Sequence, residues 1–207
     1  MSARGPLTRI VLASASPRRF ELLGSLGLQI DVVASGYGEH DPPGLPPAAL
    51  AELHAREKLR AVAAGRPPHT AIVAADTVVD LDGTSLGKPA DAADATRMLR
   101  LLAGRSHIVH TAFALQLPEV AGWVEERVST EVRFFALSDD DVAEYVATGE
   151  PFDKAGGYGI QGRAAALVDA IAGDFYTVMG FPLGRFIRAV RRSGFSLPAA
   201  KNPSNRQ

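Results

Sequence analysis

The chain has 207 residues, 46% of them apolar, and a formal net charge of -1 at pH 7, which is the composition of an ordinary globular protein with a sizeable core. Such a charge gives no general electrostatic attraction to nucleic acid or to an anionic membrane, so we predict neither as a partner. Cysteine is absent, which excludes thiol chemistry, and the lack of a membrane-length apolar run or a signal-peptide core favours a cytoplasmic protein.

The first third of the chain predicts the order strand, helix, strand, loop, helix. Pro17 suits the first turn of a helix, the segment after Gly36 is too rich in turn residues for regular structure, and an alanine-rich helix stops at Gly65. The predicted segments are 9–14, 17–26, 29–35, 36–47 and 47–65.

The remainder of the chain continues the alternation of strands and helices. After Thr70 we predict a strand, an acidic break at Asp76, further β-type residues and an Asp82-Gly83 turn. The later segments are a helix at 91–104, paired strands at 107–117 and 124–137, a capped helix at 138–149 and a last helix at 181–194. We predict one α/β domain, with residues 1–8 as an N-terminal extension, 9–196 as the domain and 197–207 as a flexible tail.

Lysine is rare in this chain. Four of the 22 basic residues are lysine, and three of them, Lys58, Lys88 and Lys154, lie in the segments AREKLRAVA, LGKPAD and FDKAGGYGIQG. Arginine fills the other basic positions outside the tail, so these three places indicate a need for a compact, mobile ammonium that contacts phosphate oxygens. For any one of the three alone, a solvated surface charge is the alternative.

Two other stretches carry unusual side chains. The segment GEPFDKAGGYGIQG has five glycines in fourteen residues, which predicts positive φ angles or close approach of a ligand; a plain surface loop is the alternative. Asp76 follows the apolar run AIVAA, where a strand end would place its carboxylate in a ligand-binding crevice, unless it merely begins a turn. Glu39, in the loop GYGEHDPP, is a candidate second carboxylate. The five histidines have no metal-ligand spacing, and we expect them to be structural.

Seven segments spread from Ile10 to about Val190 carry a resemblance to a known family. In chain order they are LASASPRRFELL, AREK, AADTVV, GKP, MLRLLAGRSHIVHTA, GEPFDKAGGYGIQG and IAGDFYTVMGFP. Together they resemble the Maf family of nucleoside triphosphate pyrophosphatases. The resemblance implies an α/β fold with a mixed sheet in two lobes around a deep cleft, similar to the inosine triphosphate pyrophosphatases, and a homodimer is plausible for the family.

The same resemblance implies a reaction. The substrate would be a nucleoside triphosphate, cleaved between the α and β phosphates to a monophosphate and pyrophosphate with Mg²⁺ or Mn²⁺. Asp76 would be the general base, a metal ligand or both, and Glu39 a metal ligand. Lys58 and Lys88 would neutralise charge that builds on the phosphate oxygens. The family's usual Asp-Glu pair is Gly38-Glu39 in this chain, which leaves one carboxylate fewer.

The family resemblance also points to a substrate class. The segment from Glu150 to Gly162 is similar to that of the branch acting on dTTP and UTP, and Arg18, Thr77 and Gln161 match positions linked to substrate choice there. An amide that both donates and accepts suits the O4/N3 edge of uracil or thymine. Two alternatives stay open at this point: a 7-methyl-GTP pyrophosphatase of the same family, and a non-enzymatic regulator of cell division.

The stretch SASPRR, between the first strand and the first helix, is the predicted triphosphate site. The hydroxyls of Ser14 and Ser16 and the backbone N–H groups at a helix start can face an anion. Arg18 and Arg19 add positive charge at the same place, and bidentate pairing suits phosphate. Because consecutive helical residues point about 100° apart, we expect one of the two arginines to face the cleft more directly.

Overall fold

The computed structural model describes residues 4–198, and within them the chain forms one seven-stranded mixed sheet with six α-helices. The strands are β1 Arg9–Leu12, β2 Gln29–Val32, β3 Ile72–Leu81, β4 Thr84–Leu86, β5 Ser106–Gln116, β6 Val124–Phe134 and β7 Val168–Ala172. The helices are α1 Pro17–Gly24, α2 Pro47–Ala63, α3 Ala92–Leu102, α4 Asp139–Ala147, α5 Phe175–Met179 and α6 Leu183–Arg192. The predicted α/β class with a mixed sheet is confirmed. The start of the predicted extension, residues 1–3, and most of the predicted tail, residues 199–207, lie outside the described residues.

The strand order is β2-β1-β3-β5-β6-β7, with β4 as an additional partner of β3. β1 runs parallel to both β2 and β3, whereas the pairings from β3 through β5 and β6 to β7 are antiparallel. Each of the long strands β3, β5 and β6 has a neighbour along most of its length. In the part of the chain that the structure describes, no helix has the length and apolar character that a membrane crossing requires.

One edge of β3 is open at its middle. The other edge pairs with β5 from Ile72 to Asp80. On the open side, β1 pairs with β3 only at Ile72 and Val73, and β4 pairs only from Val79 to Leu81. Residues 74–78 therefore have no neighbouring strand on this edge within residues 4–198, and a cleft can form there.

The predicted acidic break at Asp76 is wrong. β3 is a single strand of ten residues, and Asp76 pairs with Ala112 of β5 in the middle of it. A carboxylate does not end a strand when the backbone pairing on one edge continues, because the side chain projects from a face of the sheet and does not interrupt the backbone hydrogen bonds. The sequence pattern also predicts neither β7, a short half-buried strand, nor the five-residue helix α5.

The core is divided at the same point of β3. On one face of the sheet, β3 residues before Thr77 pack with α1 and α6, and those after it pack with α3 and α4. On the opposite face, which α2 covers, Asp76 likewise separates two apolar clusters. The polar pair Asp76-Thr77 thus marks the boundary between two lobes of the core, and the cleft lies at this boundary.

Candidate active site

A cleft of about 780 Å³ lies along the open edge of β3. Side chains of neighbouring strand residues leave opposite faces of a sheet, and the cleft reaches both faces because the edge itself is uncovered. All eleven residues that the sequence predicts for the site line this cleft: Ser14, Ser16, Arg18, Arg19, Glu39, Lys58, Asp76, Thr77, Lys88, Lys154 and Gln161.

Lys58 joins the two predicted carboxylates. Its Nζ donates a hydrogen bond of 2.6 Å to Asp76 Oδ1 and lies 2.6 Å from Glu39 Oε1. α2 packs its apolar face against β3, with Ala55 and Leu59 buried, and this packing places Lys58 over Asp76. Lys58 and Asp76 are both buried, so their interaction is screened less than that of a surface pair.

The two carboxylates differ in their surroundings. The side chain of Glu39 is 49% exposed. Its partial burial acts to raise its pKa, but the hydrogen bond and the positive charge of Lys58 together have the larger, opposite effect. The pKa of Glu39 is therefore below its ordinary value. Asp76 uses Oδ1 for Lys58, while its Oδ2 accepts no hydrogen bond from any residue between 4 and 198. That oxygen is available to a water molecule or a cation.

Arg19 is buried and forms part of the cleft wall. Its Nε donates to the Gly180 carbonyl at 2.9 Å, Nη1 to Ser14 Oγ at 3.1 Å and Nη2 to Thr77 Oγ1 at 3.1 Å. Burial lowers the pKa of Arg19, and the negative charge of Asp76 opposes this effect. Arg19 therefore connects α1, β3 and the turn after α5, and it adds positive charge behind the two carboxylates.

Arg18 is the more accessible of the two arginines. Its Nη1 lies 3.1 Å from Asp153 Oδ2 across the cleft, and the same carboxylate receives Lys154 Nζ at 2.5 Å. Two cations thus meet on one aspartate at the mouth of the cleft, which keeps both close to the place where an anion would bind.

Ser16 has a structural role at the start of α1, since its hydroxyl caps this helix by accepting from the Arg19 backbone N–H.

The glycine-rich segment forms three short 3-10 turns, Glu150–Asp153, Ala155–Gly157 and Gly162–Ala166. Gly156 has a φ of +67°, and a Cβ at this position would lie 3.0 Å from Val79 Cγ2, so only glycine lets the loop lie this close to β3. Tyr158 anchors the loop from the other side, with its hydroxyl 2.5 Å from His107 Nε2.

The outer part of the cleft carries two exposed polar side chains, Lys88 and Gln161. Lys88 follows β4 and is close enough to contribute to the lowered pKa of Glu39. Gln161 lies at the end of the glycine-rich segment, just before the last 3-10 turn. Among the described residues 4–198, no ion pair or side-chain hydrogen bond involves either of them, so both can contact a ligand in the cleft.

The donor set fits a hard divalent cation. Glu39 and Asp76 bring carboxylate oxygens to within 2.6 Å of one ammonium, and Mg²⁺ is usually held by one or two carboxylates together with water and substrate phosphates. Residues 4–198 contain no cluster of three or more His, Cys, Asp or Glu side chains arranged for a metal. Glu39 and Asp76 are therefore the residues that could hold such a cation, with water and phosphate oxygens as its other ligands.

Among the polar residues of the cleft that sequence reasoning missed are His54, Asp41 and Asp153. The structural role expected for the histidines directed attention away from His54, which is buried in α2. The available signal was its position four residues before Lys58, which places both side chains on one face of the helix. Asp153 is adjacent to Lys154, but nothing in the sequence indicates that it meets Arg18.

The mixed α/β sheet thus brings carboxylates, lysines and arginines together in one cleft between the two lobes of the core. The model of the Maf-like protein family matches residues 9–193, and the chain belongs to this family.

Three relatives, each named dTTP/UTP pyrophosphatase, illustrate the similarity. The protein from Thermus thermophilus is 48% identical over 186 residues, which is 90% of this chain and 95% of the relative. The protein from Geobacter sulfurreducens is 49% identical, over 90% of this chain and 97% of the relative. The protein from Anaeromyxobacter dehalogenans is 48% identical, over 92% of this chain and 96% of the relative. Among solved structures, the Staphylococcus aureus Ham1 protein matches with a TM-score of 0.39 at 15% identity, over 60% of this chain and 72% of that one; a TM-score this low does not establish a shared topology.

Proposed function

We propose that this protein hydrolyses dTTP and UTP to the nucleoside monophosphate and pyrophosphate, with Mg²⁺ or Mn²⁺, in the cytoplasm. The observation that carries the proposal is the meeting of Asp76 and Glu39 on Lys58 in the same cleft as Arg18 and Lys154. The printed names of relatives at 48–49% identity over most of both chains support the choice of substrate.

Positive charge at the mouth of the cleft would bind the triphosphate. Arg18 and Lys154 share Asp153 as counter-ion, and an incoming triphosphate offers more negative charge to both. Lys88 is also exposed in the cleft, and it follows Gly87, whose carbonyl accepts a hydrogen bond of 2.9 Å from the Gly156 N–H of the glycine-rich segment. The hydroxyl of Ser14 and the capped start of α1 beside Ser16 contribute neutral donors, as helix starts do in other phosphate sites.

Asp76 is the base in this proposal. Its Oδ2 would accept a proton from the attacking water, whose oxygen bonds to phosphorus while the bridging P–O bond between the α and β phosphates breaks and pyrophosphate leaves. Lys58 keeps Asp76 and Glu39 together despite their like charges. A divalent cation held by these two carboxylates would neutralise phosphate oxygens and lower the pKa of a bound water.

Gln161 and Thr77 are the candidates for choice of base. Gln161 is exposed at the cleft, and its amide can both donate to O4 and accept from N3–H of uracil or thymine. The Thr77 hydroxyl is held by Arg19 and Thr111, so we infer that it acts by shaping the wall. Guanine offers the same acceptor and donor through O6 and N1–H, so the choice of a pyrimidine is supported by the printed names of the relatives.

A nucleotide panel tests the proposal. The protein is incubated with dTTP, UTP, CTP, dGTP and 7-methyl-GTP, with Mg²⁺ or Mn²⁺, and pyrophosphate and orthophosphate are measured separately. We expect pyrophosphate as the first product and the highest kcat/KM for dTTP and UTP. A preference for 7-methyl-GTP would contradict the substrate assignment, and orthophosphate as the first product would mean that another bond is cleaved.

A further inference from the structure

The segment that carries Glu39 has little backbone support of its own. Between β2 and α2, residues 33–46 form no helix or strand, and Gly36 and Gly44 adopt positive φ angles of 64° and 77°. Within the described chain, residues 34–41 take part in no backbone–backbone hydrogen bond. Such a segment has many accessible conformations, yet Glu39 lies at one defined position beside Lys58.

His54 supplies the missing support. This histidine of α2 is 2% exposed, and both of its ring nitrogens have partners in the loop. Nδ1 lies 3.3 Å from the Tyr37 hydroxyl, and Nε2 lies 3.0 Å from Asp41 Oδ1. Tyr37 and Asp41 are the residues two before and two after Glu39, so one imidazole holds the loop on both sides of the carboxylate.

The spacing on α2 makes this arrangement a single unit. His54 and Lys58 are four residues apart and therefore lie one above the other on the same helix face. Lys58 contacts Glu39 directly, whereas His54 contacts only its flanks. If a cation binds between Glu39 and Asp76, the contact with Lys58 has to change, but the contacts of His54 with Tyr37 and Asp41 do not.

We propose that His54 is a positioning residue for Glu39, which fixes the loop so that the carboxylate is already in place when a divalent cation binds. His54 itself touches neither cation nor substrate. The proposal rests on the proposed function in taking Glu39 as a metal ligand. Partners that orient a ligand from outside its coordination shell commonly contribute about 10- to 100-fold to metal affinity, and this is the size of effect that we expect.

The test uses the full chain with His54→Leu, which keeps a good helix former and removes both hydrogen bonds. The matched control is His69→Leu, at an exposed position in the loop before β3. The first readout is the rate of cleavage after Glu39 by a glutamyl endopeptidase, without metal or nucleotide. The second is the dissociation constant for Mn²⁺, measured by electron paramagnetic resonance with a dTTP analogue that has a non-hydrolysable α,β bridge.

For His54→Leu we expect cleavage after Glu39 to become at least about tenfold faster and Mn²⁺ to bind about tenfold more weakly, with kcat at saturating metal within about threefold of the parent. His54→Gln, whose amide can still donate and accept, should recover part of both effects. His69→Leu should change neither. Unchanged cleavage and unchanged Mn²⁺ affinity in His54→Leu would overturn the proposal, as would a large loss of kcat with normal Mn²⁺ affinity.

Two variants on the loop side make the test independent of the buried position. Tyr37→Phe removes only a hydroxyl, and Asp41→Ala removes a side chain that is 61% exposed; we expect both to shift cleavage and Mn²⁺ affinity in the same direction as His54→Leu. If His54→Leu does not fold, Tyr37→Phe and Asp41→Ala provide the test. Cleavage rates and Mn²⁺ affinities equal to those of the parent protein in both variants would refute the role of His54. A parent protein that binds Mn²⁺ but does not hydrolyse dTTP would contradict the proposed function and leave the role of His54 intact.

Discussion

Asp76→Asn is the most direct test of the proposed chemistry. The amide has nearly the same shape as the carboxylate, so β3 and its pairing with β5 should persist, and its oxygen can still accept from Lys58 Nζ. It cannot take a proton from water. Because a general base typically contributes 10²- to 10⁴-fold, we expect kcat to fall by at least about a hundredfold, equivalent to about 2.7 kcal/mol in the activation barrier.

The stability cost of this change is small by comparison. Lys58 keeps Glu39 as a charged partner, and its bond to residue 76 becomes a bond to a neutral acceptor. Hydrogen bonds to charged groups exceed neutral ones by about 1 kcal/mol, which corresponds to roughly 2–4 °C in Tm for a chain of this size. The variant should therefore be folded at 25 °C, and a loss of activity can be assigned to the chemistry.

The assay is pyrophosphate release from dTTP with Mg²⁺, with a thermal melt of each variant. Asp80→Asn is the matched control, since Asp80 lies on the same face of β3 and bonds to His110 and the Gly83 N–H, away from the cleft. We expect a comparable change in Tm and a kcat within about twofold of the parent. Near-normal kcat in folded Asp76→Asn would remove Asp76 from the chemistry.

Two further predictions concern the cleft mouth and the loop anchor. Asp153→Asn removes the counter-ion that competes with a triphosphate for Arg18 and Lys154, so KM for dTTP should fall about two- to fivefold with kcat nearly unchanged, as expected for an exposed pair; a raised KM would mean that Asp153 orients these cations for the substrate. Burial lowers the pKa of His107 to about 4, whereas in the unfolded chain the same imidazole takes up a proton as the pH falls below about 6.5. Acid therefore favours the unfolded state. The free energy of unfolding should decrease by up to about 3 kcal/mol between pH 6.5 and 4. His107→Gln should flatten this part of the profile in chemical denaturation, and an unchanged slope would contradict the assignment.

Much of the candidate site can be predicted from the sequence because the types of residue present, and their frequency, indicate which side chains have a chemical role. The scarcity of lysine separated Lys58, Lys88 and Lys154 from ordinary surface charges, and the density of glycine identified the segment around Lys154. The alternation of strands and helices was sufficient for the fold class, since local periodicity and helix-ending residues act within a few positions of the chain.

Other features depend on contacts between segments far apart in the chain. A carboxylate at the end of an apolar run suggests a strand end, but pairing with β5, more than thirty residues away, carries β3 straight through Asp76. Likewise, the sequence contains both arginines without indicating that Arg19 is buried against Gly180.

The amino-acid sequence alone therefore establishes which chemical groups this protein possesses and in which local elements they lie, because propensity and periodicity are properties of neighbouring residues. Only the folded chain determines the open edge of β3, the pairing of Glu39 and Asp76 through Lys58, and the two-sided hold of His54 on the loop. Each of these depends on long-range packing, in which the burial of apolar faces sets the positions of the polar groups between them.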